Sequence, residues 1–337
     1  MTVKAVALYS GGLDSILARE AAARQGVEVV CVWMSTCFQK PYIDVVKLGK
    51  GLSRLESDLS SRFKTCVAVL SVCEEFFHIM QDPAHGFGKN VNPCIDCKIA
   101  MMKRAKSYMN KIGASFIISG EVLGQRPMSQ NREALKLIER EAGVEGLVLR
   151  PLCAQHLDET VPEQKGWVDR KKLYGFRGRG RKAQMNLAEQ FGITEYPQPA
   201  GGCLLTDPGF ARRVEDVLEY EEKLDGYTAP LCATGRHFRI SGQIKLILGR
   251  DHSENRFLES FKGNNTLIIP DNVPGPSGIV IGECTHNEDK IICCRILAHY
   301  ITKAEGEIEF SVYNEFGEPE KIRAEELPEE EVERMRI

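Results

Sequence analysis

The 337-residue chain has no apolar run approaching the ~20 residues that a membrane span needs. Its N-terminus also lacks the basic-then-apolar pattern of a secretory signal, so a cytoplasmic protein is expected. Strong charge of one sign is missing too. The 44 Lys and Arg residues against 47 Asp and Glu leave a formal net charge of -3, which excludes a global pull toward nucleic acid or acidic lipid. Any such attraction has to be local. There is no internal repeat and no low-complexity linker. What the chain does have is 12 cysteines. In a cytoplasmic protein these are not expected as a disulfide framework, so they are either small core residues or reactive and metal-binding ones. A hydrophobic content of 43% and a charged content of 27% are ordinary for a globular protein. The length exceeds the usual single-domain range of roughly 100–200 residues, and two domains follow as the default.

Apolar runs predict strands at Val3–Leu8, Glu28–Met34, Thr65–Ser71 and Ser115–Ser119. Between them lie a helix over Ile16–Gln25, stopped by Gly26, and a long helical stretch from near Cys97. Strands separated by helices imply parallel pairing through right-handed crossovers, hence an α/β, doubly wound, mostly parallel sheet. Such sheets bind ligands outside the carboxyl ends of their strands. SGGLDS, MSTCF and GEVLGQRPMSQ all fall there. From about Gly226 the apolar runs, KIICCRILAHYI among them, are broken by Gly, Pro and Asn, which predicts a smaller α+β domain with hairpins. The expected organisation is a first domain over 1–208, a connector over 209–226 built on a helical stretch Phe210–Lys223, and a second domain over 227–337. The final stretch, Glu315–Ile337, is expected as a surface helix or a frayed tail.

SGGLDS leaves the first strand through Gly11 and Gly12 and enters a helix near Ser15. Two glycines let the backbone approach a ligand closely, and the helix N-terminus adds partial positive charge, an arrangement suited to phosphate. A P-loop is excluded, since G-x-x-x-x-G-K-[ST] is not present. Asp14 beside phosphates requires a Mg2+ ion between them, or a pyrophosphate that must leave. Ser10, Gly11, Gly12, Asp14 and Ser15 are therefore the candidate ATP phosphate ligands, with Met34, after the second strand, bordering adenine. The plain alternative is a turn in which Asp14 or Ser15 only caps the helix.

NPCIDCK places Cys94 and Cys97 in a C-x-x-C pair at the start of a helix, where the helix dipole favours thiolates, and PAGGCLLTDP adds Cys203 in a Gly-Gly loop. A C-x-x-C pair alone leaves core packing and redox use as open as ligation. Three cysteines suit a 4Fe-4S cluster with one iron lacking a protein ligand, whereas structural zinc usually takes four ligands. Cys31, Cys66, Cys73, Cys293 and Cys294 lie in apolar strand-like runs and are expected as core residues. Cys37, just beyond the second strand, is a weaker candidate for the site.

SGGLDS resembles the signature of the PP-loop ATP pyrophosphatases, of adenine nucleotide alpha hydrolase-like fold, which cleave ATP between the α and β phosphates to adenylate a substrate oxygen. SGEVLGQRPMSQ (Ser119–Gln130) is similar to a segment of the tRNA 4-thiouridine synthetases, as are LRPL (Leu149–Leu152) and WVDRKKL (Trp167–Leu173), so the likeness covers roughly two thirds of the chain. The resemblance implies a tRNA sulfurtransferase in which Gly120 and Gln125 line the nucleotide side, Asp14 serves the ATP chemistry, and Cys94, Cys97 and Cys203 hold a 4Fe-4S cluster that carries the sulfide. Within the same chemistry, NPCIDC also resembles a motif of the 2-thiouridylases, which implies a persulfide mechanism on Cys97 and Cys203 with Cys94 a bystander. The N-terminal RNA-binding module of the 4-thiouridine synthetases and a trailing sulfur-carrier domain are not recognisable, which makes free sulfide or an external persulfide donor the expected sulfur source.

Arg170, Lys171, Lys172, Arg177, Arg179, Arg181 and Lys182 cluster around Tyr174 and Phe176 and are expected to grip tRNA by phosphate contact and base stacking. A solvated basic face is the plain alternative. LGRDHSENRFL (Leu248–Leu258) and PDNVPGPSGIVI (Pro270–Ile281) resemble the RNA-binding domain of NFACT proteins, with Asp251 in place of the usual Asn. A lid or a dimerisation domain, and with it a homodimer, is the alternative for this part. A non-catalytic, nucleotide-dependent RNA-binding factor and a small-molecule amide ligase are the competing functions. The three site cysteines speak against the first, and the C-x-x-C pair with the basic segment against the second.

Overall fold

A computed structural model describes residues 2–47, 51–197, 203–220, 224–263, 265–301, 306–314 and 318–337. Gly201 and Gly202 before Cys203, the end of the Phe210–Lys223 stretch and the start of the Glu315–Ile337 stretch lie outside the described residues. The fold divides into two compact units, Met1–Thr206 and Asp207–Ile337.

The first unit is built on strands β1 (Lys4–Leu8), β2 (Glu28–Ser35), β3 (Val67–Ser71), β4 (Phe116–Ser119) and β5 (Val148–Leu149). They form a parallel sheet of order β3-β2-β1-β4-β5. Its helices are α1 (Leu13–Ala23), α2 (Lys40–Lys47), α3 (Leu52–Phe63), α4 (Cys73–Gln81), α5 (Cys94–Lys111), α6 (Arg132–Ala142), α7 (Val161–Gln164) and α8 (Lys182–Phe191). Ala5, Val6 and Ala7 of β1 are buried because both faces of the sheet are covered: Ala5 and Ala7 pack with α1 and α8, Val6 with α5. Strand order runs outward from β1 to β3, then jumps to β4 on the other side. This makes the carboxyl ends of β1 and β4 the switch point where a doubly wound sheet opens a crevice.

The second unit holds helices α9 (Pro208–Tyr220), α10 (Thr228–Cys232), α11 (His252–Glu259), α12 (Asn287–His299) and α13 (Glu329–Met335). Its strands are β6 (Arg236–Ser241), β7 (Ile244–Leu248), β8 (Thr266–Pro270), β9 (Gly278–Ile281), β10 (Ile308–Tyr313) and β11 (Glu320–Ala324), in an antiparallel sheet of order β11-β10-β8-β9-β7-β6. Two expectations are corrected here. KIICCRILAHY is the helix α12, not a strand, and places Cys293 and Cys294 in the core on a helix. The C-terminal stretch is neither tail nor surface helix alone: β11 pairs antiparallel with β10, and α13 buries Val332.

Candidate active site

The opening of α1 is shaped for an anion. Gly11 has φ +73, and a Cβ there would run into the Phe63 ring, so only glycine fits this turn. Gly12 is the N-cap and supplies no side chain, and the first helical bond is Ile16 N–H to the Gly12 carbonyl at 3.1 Å. Neither Asp14 nor Ser15 caps the helix. Ser15 Oγ instead donates to the Gly12 carbonyl at 2.8 Å, and Ser10 Oγ accepts the Gly12 N–H at 3.3 Å. The first-turn amides are thus left to whatever anion docks there.

Gly120, directly after β4, lies against this turn: an added Cβ would come 2.7 Å from the backbone carbon and oxygen of Asp14. From there the segment 119–130 runs along the switch point. Gln125 Nε2 donates to Asp14 Oδ2 at 2.9 Å, while Asp14 Oδ1 is buried with no partner. Four residues on, Ser129 Oγ takes the Cys94 thiol at 3.2 Å. The loop is held in shape by Gly124 N–H to the Gln130 carbonyl at 2.7 Å and by Arg126 N–H to Gln130 Oε1 at 3.0 Å. One loop therefore touches both the turn that opens α1 and the Cys94 thiol.

Cys94 and Cys97 begin α5, whose N-cap Pro93 offers no side-chain bond. Between them, buried Asp96 accepts from His85, at 2.9 Å from the ring Nδ1 and 3.1 Å from the backbone N–H, and the other ring nitrogen meets Glu141 at 3.2 Å. The Asp96 hydrogen bond leads in raising His85 above the usual histidine range. Cys203 reaches this place through a tight turn. Thr206 donates from N–H and Oγ1 to the Cys203 carbonyl, at 2.8 and 2.6 Å, and Asn90 Nδ2 donates to the Thr206 carbonyl at 3.0 Å.

The three thiols interact pairwise. Burial, then the charge of Cys203, then that of Cys94 push Cys97 well up. Burial also raises Cys203, helped by Cys94 and opposed by the Leu205 N–H and by Arg126 of the same loop. Among the described residues, however, no three His, Cys, Asp or Glu side chains are gathered closely enough to hold a metal ion. Behind the site, buried Arg150 of the LRPL segment bonds Glu121 at 3.0 Å and also pairs with Glu139, while Lys98 pairs with Glu121 from the other side. Burial alone would raise Glu121, but Lys98 and Arg150 outweigh it and hold the carboxyl down to about 2.

Other expected residues fall elsewhere. Met34 is buried in the core with Val6, Val32 and Ile99. Cys37 is fully buried with a left-handed backbone, φ 59, and its bond to Cys73 is the main cause lowering that thiol. Arg170 is committed inside the fold, to Glu163 at 2.6 Å and to the carbonyls of Ala154 and Leu157. Lys171, Lys172, Arg177, Arg179 and Lys182 are exposed, and Arg181 is half-buried. Tyr174 and Phe176 stack on each other at 5.2 Å and pack on the core rather than standing free for a base. Arg126, Ser129 and the Lys98–Glu121–Arg150 group had no assigned role in the sequence reading. The quoted loop contained Ser129 and Arg126, but nothing in spacing announced which of its side chains face the thiols.

Residues 1–164 match the family model of the thiamine biosynthesis protein ThiI, and residues 235–336 match that of the NFACT protein RNA binding domain. A probable tRNA sulfurtransferase of Thermococcus kodakarensis is 28% identical over 158 residues, 47% of this chain and 39% of that protein, so the chain spans about two fifths of its relative's length. Among solved structures, a 4-thiouridine synthetase–RNA complex with bound ATP is 17% identical, with a TM-score of 0.34 over 64% of this chain and 50% of that one. A predicted tRNA methyltransferase subunit of Methanocaldococcus jannaschii is 13% identical, with a TM-score of 0.34 over 56% and 76%. Likeness at this level is loose. By sequence, residues 1–164 are similar to the ThiI family and residues 235–336 to the NFACT RNA-binding domains.

Proposed function

We propose that this chain thiolates a uridine of tRNA at the expense of ATP, giving 4-thiouridine. The observation that carries the reading is the 119–130 loop, which bonds Asp14 through Gln125 and Cys94 through Ser129. Activation and sulfur delivery are thereby adjacent. ATP phosphates dock at Ser10, Gly11, Gly12 and Ser15 on the uncapped end of α1, and Gln125 orients Asp14. The unpartnered, buried Asp14 Oδ1 fits a Mg2+ ligand, and the ion, when bound, neutralises charge on the pyrophosphate. The uracil carbonyl oxygen attacks the α-phosphorus and pyrophosphate leaves. A sulfur nucleophile then attacks the activated carbon, and AMP departs with the oxygen. The fold residues that act here bind and orient. The sulfur itself comes from sulfide or an external persulfide.

Three mutually interacting thiols have the chemistry of a 4Fe-4S donor set with one open iron, and Cys94, Cys97 and Cys203 would hold such a cluster, which supplies a site for sulfide. The second reading is a persulfide mechanism shared by Cys97 and Cys203, one carrying the persulfide and the other resolving the disulfide, with Cys94 a bystander. Anaerobic purification with iron and sulfide counts, combined with nucleoside analysis of tRNA, separates them. Cys94→Ala abolishes thiolation and iron together if a cluster operates, and leaves thiolation standing if the persulfide does. Thionucleosides unchanged in a strain lacking the protein would end the proposal.

A further inference from the structure

We infer that a cavity of about 220 Å³ beside the 119–130 loop is a subsite for a phosphate group of the RNA strand. Leu123, Gly124, Asn131, Arg132, His156 and Arg177 line it. The inference rests on tRNA being the substrate, and it adds where and how the strand is held.

The lining is cationic. Arg177 is exposed and makes no ion pair among the described residues. Arg132 has one carboxylate, Asp158 at 3.5 Å, which Lys136 approaches more closely at 2.8 Å. His156 Nε2 lies 2.9 Å from the Gly175 carbonyl, an acceptor only, so this nitrogen carries the proton and donates within the fold. The eleven-residue helix α6 starts at the same place, where Asn131 Oδ1 caps Ala134 N–H at 2.9 Å and leaves the two amides before it unconsumed. Guanidinium groups and helix amides together suit an oxyanion such as phosphate. The volume is below the roughly 300–1,000 Å³ of pockets that enclose a whole ligand, which fits one backbone phosphate of a longer chain.

Position makes the site functional. Leu123 bridges to Arg177, and Gly178 N–H donates to the Leu123 carbonyl at 2.8 Å, which pins the basic segment to the loop. Two residues after Leu123 is Gln125, bonded to Asp14. A phosphate gripped here fixes the RNA backbone next to the place where the base is activated. Of the seven basic residues expected to contact tRNA, the geometry selects Arg177 and brings in Arg132 and His156, which lay outside that set.

The test is tRNA affinity measured by fluorescence anisotropy without ATP, over a range of salt, for the intact chain, Arg177→Glu, Arg132→Gln and the exposed control Lys103→Glu on α5. Arg177→Glu is expected to weaken binding about tenfold and to reduce the slope of log affinity against log salt by roughly one, with Arg132→Gln in the same direction. Equal losses in Arg177→Glu and Lys103→Glu, or an unchanged slope, would overturn the subsite. Displacement of inorganic pyrophosphate by Arg177→Glu, with tRNA affinity unaltered, would assign the cavity to the leaving group and overturn the RNA assignment. Since no turnover is involved, a chain that binds tRNA here yet thiolates nothing sinks the thiolation reading and leaves the subsite standing.

Discussion

At the scale of single residues, Gly120 is constrained by backbone alone. A methyl group there would sit 2.7–2.8 Å from the Asp14 carbonyl group and the Ser15 nitrogen, all backbone, which cannot swing aside as a flexible side chain would. Gly120→Ala is therefore expected to push the start of α1 away from the loop, lowering ATP affinity at least tenfold while costing about 1–3 kcal/mol in stability. Calorimetric ATP titration beside urea denaturation checks both; unchanged ATP affinity would mean that the two segments are not jointly required. Glu121, the next residue, is held down to about 2 by Lys98 and Arg150. Its folded value is depressed, so the stability it confers is present above the normal carboxylate range and is lost as pH falls toward about 2. Glu121→Ala leaves Arg150 with only Glu139 and is expected to cost about 3 kcal/mol at neutral pH, a loss that shrinks in acid. That Gly120 and Gln125 lie beside the SGGLDS turn was suggested by the resemblance of their segment, and both do meet Asp14. Glu121 was inside the same motif, but its partners Lys98 and Arg150 are remote in sequence, and ion pairs of that kind leave no local pattern.

At the scale of elements, the start of α5 is braced by a histidine from outside the helix. His85 bonds Asp96, which lies between Cys94 and Cys97, and its raised value means that its stabilising charge is present below the ordinary histidine range and lost as pH rises through the folded value. His85→Gln is expected to lower the melting temperature by about 2–4 °C at pH 6, with the gap to the parent closing above pH 8. A gap independent of pH would show that His85 acts by packing alone. The strands of the first sheet were readable as buried apolar runs at their observed places, within a residue or two. The two-residue β5 was too short to mark itself. Helix α12 was misread because its apolar residues are not confined to the buried face: exposed Ile291 beside Ile292, Cys293 and Cys294 extends the run and blurs the helical period of the buried Cys293, Cys294, Leu297 and Ala298. Strand β11 failed for the opposite reason. Only Ile322 and Ala324 point inward, and Glu320, Lys321 and Arg323 hide the alternation in charge.

At the scale of the whole molecule, each unit has its own core. In the second unit one cluster joins Phe238, Leu246, Ile268, Val280, Leu297, Phe310 and Val332, drawing on both sheet and helices from β6 to α13. A smaller cluster of Leu231, Ile247, Phe257 and Leu267 covers the other side of that sheet. The terminus is tied in as well, since Ile337 N–H donates to the His237 carbonyl at 3.0 Å. A core closed within one segment of about 130 residues is enough for independent folding. The fragment Asp207–Ile337 is therefore expected to fold alone and unfold in one cooperative urea transition, and removal of β11 and α13 is expected to abolish that transition because Ile322, Ala324 and Val332 leave the core. The same fragment decides whether the NFACT-like unit contributes to RNA recognition. Salt-dependent tRNA binding by the isolated fragment would place part of the grip there, whereas a folded fragment without affinity would leave the grip to the first unit, around Arg177 and the cavity beside it.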